Sequence, residues 1–348
     1  MSKIETFDTM SPMTARAIKP SVPTLLSELP LLALIVTGLA GLLVVNAGDS
    51  FTLNILATTF LFAGLSTAWN IIGGYGGQFS LSHGVFFAIG AYLSANLVLH
   101  FQISPWLALP PAMALAAAAA VLISWPAFRL RGPFFAIATM AFSEVMFVLA
   151  NTLEPLTGGP RGLTVPFRVG LANMIFRDRL SYAVLMLGFL VVCLVVGLLV
   201  LRSRLGYYLQ AVRDNEDAAQ ASGIDVLRTK LIGMAISAAL TGAGGVFFTM
   251  LVRIIDPPSL LTMSDVGVKF ALIALIGGMG RAYGPLVGAL LIVPLESRLR
   301  ADLGAWAPGS HLIVLGAVLV LASLFFKRGI IGAAEDVWAR LRAMRGAS

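Results

Sequence analysis

The sequence predicts an all-α membrane protein, a polytopic bundle of about ten transmembrane helices. Of its 348 residues, 58% are hydrophobic and only 12% are charged, and the mean hydropathy is +0.90. A soluble domain of this length carries about twice that charged fraction. The apolar residues form continuous runs, whereas the strands of a membrane β-barrel alternate in hydrophobicity. The composition and the continuity of the apolar runs therefore both indicate helices that cross a bilayer.

One helical crossing of a bilayer needs roughly 20 apolar residues. By this measure the apolar runs predict spans at 30–47, 51–72, 84–101, 104–126, 133–151, 180–201, 230–252, 266–280, 283–299 and 310–326. Two of them, 266–280 and 283–299, are short, so one is a candidate for a re-entrant or broken helix. The runs divide the chain into a flexible cytosolic N-terminal tail (1–29), a transmembrane domain (30–332) and a basic cytosolic C-terminal tail (333–348).

The placement of lysine and arginine predicts the orientation, because positive residues are retained on the cytosolic side. With both termini cytosolic, sixteen of the 24 lysines and arginines fall on the cytosolic side and seven on the other. The same scattering argues against nucleic acid as a partner. Two connectors, 152–179 outside and 202–229 inside, are long enough to carry function.

Residues 73–84 form a polar, glycine-dense stretch between two spans. Irregular backbone at membrane depth is tolerated only where protein or a watery cavity satisfies its polar groups. Two interpretations stay open. One is a broken start to the next helix, with Gln78, Ser80 and Ser82 facing a solute path. The other is a tight cytosolic turn followed by a helix cap. A similar glycine-rich run, 276–280, hints at duplicated halves, which are common in transporters.

Three ionisable residues lie in or beside the spans. An ionisable group at bilayer depth is costly and often functional. Glu144, inside 133–151, is a candidate for the translocation path, although a hydrogen bond between helices would also explain it. Lys269 lies near the end of its span, which favours a side chain that reaches back to the interface. For His83 a hydrogen-bonded structural role is favoured over proton transfer, since no acidic residue is near it in sequence.

The long inner connector contains a predicted helix. Residues 207–222 hold no proline or glycine, and Gly223 is placed to end the helix. Ala218 and Ala219 would give it a surface that a partner can approach closely; an amphipathic linker is the alternative. The chain has no phosphate-binding Gly-x-x-x-x-Gly-Lys-[Ser/Thr] motif. We therefore expect no cofactor, no metal site and no enzymatic activity, and if ATP drives this protein, other subunits bind it.

In this connector, Asp217-Ala218-Ala219-x-x-x-Gly223 resembles the Glu-Ala-Ala-x-x-x-Gly element of ABC importer permeases, with Asp in place of Glu. The chain from about 50 to 332 resembles the permeases of branched-chain amino acid ABC transporters, LivM type. The other segments that carry this resemblance are 70–83, 131–139, 157–162, 236–245 and 276–289.

The resemblance implies an ABC importer permease-like fold in the bacterial inner (plasma) membrane. It implies a path for leucine, isoleucine and valine, delivered by a soluble extracytoplasmic substrate-binding protein. A second homologous permease and two ATPase subunits are the other implied partners. The resemblance assigns Asp217, Ala218, Ala219 and Gly223 to the helix that couples to an ATPase subunit.

Two alternatives remain beside this expectation. Arg161 stands where the family often has asparagine, which keeps urea, short amides and small carboxylates as solutes for the same machinery. A proton-coupled secondary transporter using Glu144 or His83 is less favoured, because an ion-coupled carrier has no ATPase to dock.

Overall fold

The computed structural model describes residues 25–130, 132–262, 266–303, 313, 316–317 and 329–335. Its named α-helices are α1 Leu25–Val45, α2 Ser50–Asn70, α3 His83–Phe101, α4 Pro105–Ala127, α5 Pro133–Thr152, α6 Glu154–Thr157, α7 Arg179–Arg202, α8 Arg204–Asp214, α9 Glu216–Ala221, α10 Val226–Val252, α11 Pro257–Leu261, α12 Val268–Gly278 and α13 Gly284–Leu303. A further helical segment covers residues 329–335.

The predicted all-α membrane fold is confirmed. Within the described ranges, seven helices are long and apolar enough to cross a membrane: α1, α2, α3, α4, α5, α7 and α10. They coincide with the first seven predicted spans, while α12 and α13 coincide with 266–280 and 283–299. The 11 residues of α12 extend about 16 Å, roughly half of a bilayer core, and residues 266–267 continue the helix as a π-helical turn toward 263–265, which lie outside the described residues. The predicted span 310–326 lies largely outside the described residues.

The predicted tails meet the described residues only at their edges. Helix α1 begins at Leu25, four residues before the predicted end of the N-terminal tail at residue 29. The first residues of the predicted C-terminal tail, 333–335, continue the helical segment 329–335. The rest of both tails lies outside the described residues.

Helix α2 runs through the centre of the bundle and packs against α7, α10, α12 and α13. Phe60, Leu61 and Trp69 are fully buried, and so is nearly every residue from 55 onward. At its exposed start Asp49 accepts hydrogen bonds from the hydroxyl of Thr52 and the N–H of Phe51. The bond from Thr52 holds the pKa of the Asp49 carboxyl below its ordinary value.

Small residues bring α3, α4 and α10 into close contact. In α4, every fourth residue from Ala108 to Ser124 is buried, and this stripe faces α10. A Cβ at Gly90 of α3 would lie 1.9 Å from the carbonyl oxygen of Gly242 in α10, and one at Gly242 would lie 2.7 Å from Cβ of Ala116. Membrane helices use such small residues to let backbones approach. The three helices therefore form one tightly packed block.

Short elements distinguish the two ends of the bundle. Strand β1 (Leu163–Thr164) pairs antiparallel with β2 (Ile254–Ile255), with Leu163 opposite Ile255. We name this end, which also holds α6, the β-end. Helices α8 and α9 lie at the opposite end, which we name the α8–α9 end.

Candidate functional site

Residues 203–223 form a helical hairpin at the α8–α9 end. Ser203 caps α8 by accepting the N–H of Gly206, and Asn215 caps α9 by accepting the N–H of Ala218 at 3.0 Å. The backbone of Asn215 is extended, with φ −162°, so the prediction of one helix over 207–222 is wrong. The Asn215 side chain takes over an N–H that would otherwise lack a partner, which starts a second helix. The predicted end is confirmed, since Gly223 follows α9 with φ +86°.

The four predicted coupling residues divide between two faces of α9. Asp217, Ala218 and Gly223 are exposed at the α8–α9 end. Ala219 is only 4% exposed and packs on its own chain, so its expected place on a partner-facing surface is wrong. Glu216 precedes Ala219 by three residues and lies on the same inward face, as helical spacing requires. The surface open to a partner is the Asp217–Ala218 edge.

An ion pair joins the inward face of α9 to the start of α10. Lys230 Nζ lies 2.5 Å from Glu216 Oε1; the lysine side chain is 1% exposed and the glutamate 25%. The same carboxylate oxygen accepts a longer hydrogen bond, 3.4 Å, from Nε2 of Gln78. The Lys230 ammonium also lies over the ring of Phe128, 5.6 Å from its centroid. Glu216 thus ties α9 both to a membrane helix and to the glycine-dense stretch.

Two glycine-rich runs meet at the α8–α9 end. After α2 the chain forms a π-helical turn, Ile71–Tyr75, and then irregular backbone up to His83. The Asn70 side chain accepts the N–H of Gly280 at 2.8 Å and donates to the carbonyl of Arg281 at 3.0 Å. Arg213 of α8 donates to the carbonyl of Gly74 at 3.3 Å. The hairpin and both glycine-rich runs are therefore in direct contact.

The irregular stretch 76–82 descends to the middle of the bundle. His83, where α3 begins, is fully buried and contacts Ser237 near the middle of α10. The indole N–H of Trp69 donates to the carbonyl of Ser80 at 2.8 Å. This depth supports the broken start of a helix and argues against a tight cytosolic turn. Protein groups satisfy the irregular backbone there, as membrane depth demands.

His83 belongs to a hydrogen-bonded chain of side chains. Ser237 donates its hydroxyl hydrogen to the carbonyl of Ala68 at 2.6 Å, so it accepts from Nε2–H of His83 at 2.8 Å. Nδ1 of His83 then accepts from the hydroxyl of Ser80 at 3.1 Å, and Ser80 accepts from Ser82 at 3.1 Å. A neutral imidazole satisfies this chain completely. The geometry supports a structural role for His83.

The four predicted path residues do not lie together. Gln78 borders a cavity of about 580 Å³ between the hairpin and the start of α5. Ser80 and Ser82 are fully buried and hydrogen-bonded, so neither opens onto a cavity in this conformation. Glu144 is exposed on the outer side of α5 and has no hydrogen-bond partner among the described residues, so a bond between helices is not its role in this conformation.

Several residues that organise these contacts were missed by the sequence analysis. Lys230 is the first residue of the predicted span 230–252, and its ion pair with Glu216 depends on how α9 folds back. Lys269 was expected to reach the interface, but it pairs with Glu296 at 2.6 Å inside the bundle. Glu296 itself lies within the predicted span 283–299. The rule that selected Glu144, a charge inside an apolar run, also selects Glu296.

The chain is similar to known transport permeases. The family described as branched-chain amino acid transport system / permease component matches residues 51–323. The high-affinity branched-chain amino acid transport system permease protein LivM of Escherichia coli is 30% identical over 331 residues, covering 88% of this chain and 76% of its own length. LivM of Salmonella typhimurium is 29% identical, covering 93% and 82%. A third of this chain is 31% identical to the ribose import permease protein RbsC of Haemophilus influenzae. No solved structure matches the chain.

Proposed function

This chain belongs to the family of branched-chain amino acid transport permeases, and we propose that its solutes are leucine, isoleucine and valine. It is a multi-pass transport subunit of the ABC importer class and not an enzyme. The observation that carries the choice of solute is the similarity to two LivM permeases along nearly the whole chain. Arg161, exposed in the β-end connector, is the feature that keeps urea, short amides and small carboxylates as alternatives.

Two ATPase subunits drive this importer in our proposal, and one of them docks on α9. The exposed Asp217–Ala218 edge supports this, because small side chains let another helix or groove approach closely. The inward side of α9 is tied to α10 and to the glycine-dense stretch through Glu216. A movement imposed on α9 would therefore reach the spans directly. The chain has no phosphate-binding loop of its own, so the ATPase subunits supply the nucleotide site.

The second permease in this proposal covers the outer face of α5. Exposed residues recur there with helical spacing at Phe134, Ile137, Ala141, Glu144 and Val148. A carboxylate at the middle of a lipid-facing helix is costly, so this stripe needs a protein or aqueous neighbour. In a symmetric pair of identical chains packed on this stripe, both copies of Glu144 would lie at the same depth in one interface, where like charges repel. A distinct, homologous permease avoids that contact.

The orientation we propose puts both termini and the α8–α9 end in the cytosol of a bacterium, with the β-end facing the binding protein outside the inner membrane. The bias of lysine and arginine supports it.

We expect a membrane-impermeant maleimide, added to intact spheroplasts, to label Leu171→Cys and not Ala218→Cys; both positions are exposed. The native Cys193 is buried and gives little background. Labelling of Ala218→Cys alone would reverse the orientation.

The solute is tested with the whole importer in liposomes, including the ATPase subunits, the second permease and the binding protein. We expect ATP-dependent uptake of labelled L-leucine that unlabelled isoleucine and valine inhibit, and that urea or acetamide does not. Binding of ATP by the purified chain alone should be undetectable, because it has no phosphate-binding loop. Uptake that follows a proton gradient without ATP would instead support the secondary-transporter alternative.

A further inference from the structure

A second cavity, separate from the predicted path residues, lies in the half of the bundle toward the β-end. Its volume is about 760 Å³, within the usual range for small-molecule sites. Phe62 of α2, Phe87 of α3 and Phe248 of α10 provide apolar walls. Polar groups come from Asn54 and Thr58 on α2 and from α13. The cavity therefore combines an apolar wall with a polar lining, as binding sites for small organic molecules do.

Three charged side chains line this cavity. Glu296 of α13 receives Lys269 Nζ at 2.6 Å on one carboxylate oxygen and Arg300 at 3.0 Å on the other. The Lys269 ammonium also lies 4.3 Å from the ring centroid of Phe62. The Glu296 and Lys269 side chains are mostly buried, at 11% and 18% exposure, whereas Arg300 is 63% exposed. Two cations thus share one carboxylate, one of them buried and the other exposed.

The charged lining of the cavity is positive overall. Glu296 is the only acid among the described residues that line the cavity. Lys269 alone neutralises it, so Arg300 leaves the charged lining with one positive charge in excess. Arg300, which is free to bind a second group because of its exposure, offers several donors that suit a carboxylate. The electrostatics favour a ligand that brings a negative group to Lys269 or Arg300.

We propose that this cavity binds the carboxylate of an aliphatic amino acid on its way through the permease. Arg300 and Lys269 hold the carboxylate, Glu296 accepts the ammonium group, and the phenylalanine walls contact the aliphatic side chain. This inference rests on the proposed function, because the aliphatic amino acid is the solute proposed above. A phospholipid headgroup is the other anion within reach of a membrane cavity, and the test below separates the two.

The test uses thiol labelling in the complete importer. Thr58→Cys places a thiol in the cavity wall, and the native Cys193 is fully buried. We expect the anionic reagent methanethiosulfonate ethylsulfonate to react about tenfold faster than its trimethylammonium analogue, because a net positive cavity concentrates anions. Gly188→Cys is the matched control at similar depth on α7; a Cβ there meets nothing within 4 Å, and it should show no such preference.

Protection of Thr58→Cys from labelling by added ligands then identifies which chemical group the cavity binds. We expect millimolar L-leucine and 4-methylpentanoate to slow labelling of Thr58→Cys, and L-leucinamide, which lacks the carboxylate, to do so weakly. Adding Arg300→Gln should remove the reagent preference and the protection by 4-methylpentanoate; Arg300 is largely exposed, so this variant should fold. Protection by anionic phospholipid alone, or equal rates for both reagents, would overturn the proposal.

Uptake measured in the same vesicles distinguishes failure of the cavity proposal from failure of the proposed function. Leucine uptake without any protection of Thr58→Cys would refute the cavity as a solute site and leave the function standing. Protection by 4-methylpentanoate in an importer that does not transport leucine would retain a carboxylate site and refute the proposed solute.

Discussion

We expect Lys230→Met to reduce ATP-driven uptake by about tenfold while the amount of protein in the membrane stays close to wild type. Methionine retains the length and volume of the lysine stem, so packing beneath Phe128 should persist. The lost group is the ammonium that Glu216 holds at 2.5 Å. Removing one partner of a buried ion pair costs about 3–5 kcal/mol when both groups are fully buried. Glu216 is a quarter exposed and water can solvate its carboxylate, so the cost here falls below that range.

Loss of the Lys230 ammonium should weaken the coupling of ATP hydrolysis to solute transport more than it weakens folding. Without Lys230, the carboxylate of Glu216 is better solvated by water, and α9 has only six residues to hold its position. An α9 that separates from α10 cannot transmit a movement of the ATPase subunits to the spans. We therefore expect ATP hydrolysis by the assembled importer to continue with little solute transported per ATP.

Arg228→Met is the matched control, because Arg228 is exposed two residues earlier at the start of α10. It removes one positive charge from the same turn without breaking the Glu216 contact, and uptake should stay near wild type. The double swap Lys230→Glu with Glu216→Lys should recover part of the uptake that either single change loses. Equal losses in Lys230→Met and Arg228→Met would show that the ion pair has no part in coupling.

Much of the fold could be predicted from the sequence, because the bilayer sets one length and one polarity for every crossing. Helix α7, an unbroken apolar run, coincides with its predicted span to within a residue or two at each end. The end of α9 was also predictable, since only the local conformation of Gly223 was needed. The break at Asn215 was missed although the signal was present: an asparagine followed by Glu216 and Asp217 is a typical helix start.

The contacts between distant segments could not be predicted in this way. Glu216 and Lys230 are close in sequence, but their contact depends on the turn that follows Gly223. Lys269 and Glu296 lie on different helices, and an apolar run does not indicate which side of a helix faces another. Ala219 shows the same limit, because a small residue suits a partner's surface and the chain's own interior equally well. Charges inside spans were the useful signal, and their partners required the structure.

A second substitution with a large expected effect on uptake is at Glu144. We predict that Glu144→Leu lowers uptake about fivefold or more and weakens co-purification of the second permease, whereas Glu144→Gln keeps much of both. The reason is that a side chain able to hydrogen-bond is needed where the α5 stripe meets its neighbour. Val148→Leu, one turn farther along the same exposed stripe, is the matched control and should change neither measurement.

A lipid-facing α5 leads to the opposite expectation. Removing a charge from the middle of a lipid-exposed helix relieves about 2.5–3.5 kcal/mol, so Glu144→Leu would then raise the yield and thermal stability of the protein and leave uptake unchanged. The two cases thus differ in the sign of the stability change and in transport. Detergent-solubilised complexes, compared by size-exclusion chromatography and by the temperature at which they aggregate, measure the first, and uptake in vesicles measures the second. A more stable Glu144→Leu variant with full uptake would place α5 against lipid, and the second permease would then have to bind another face of the bundle.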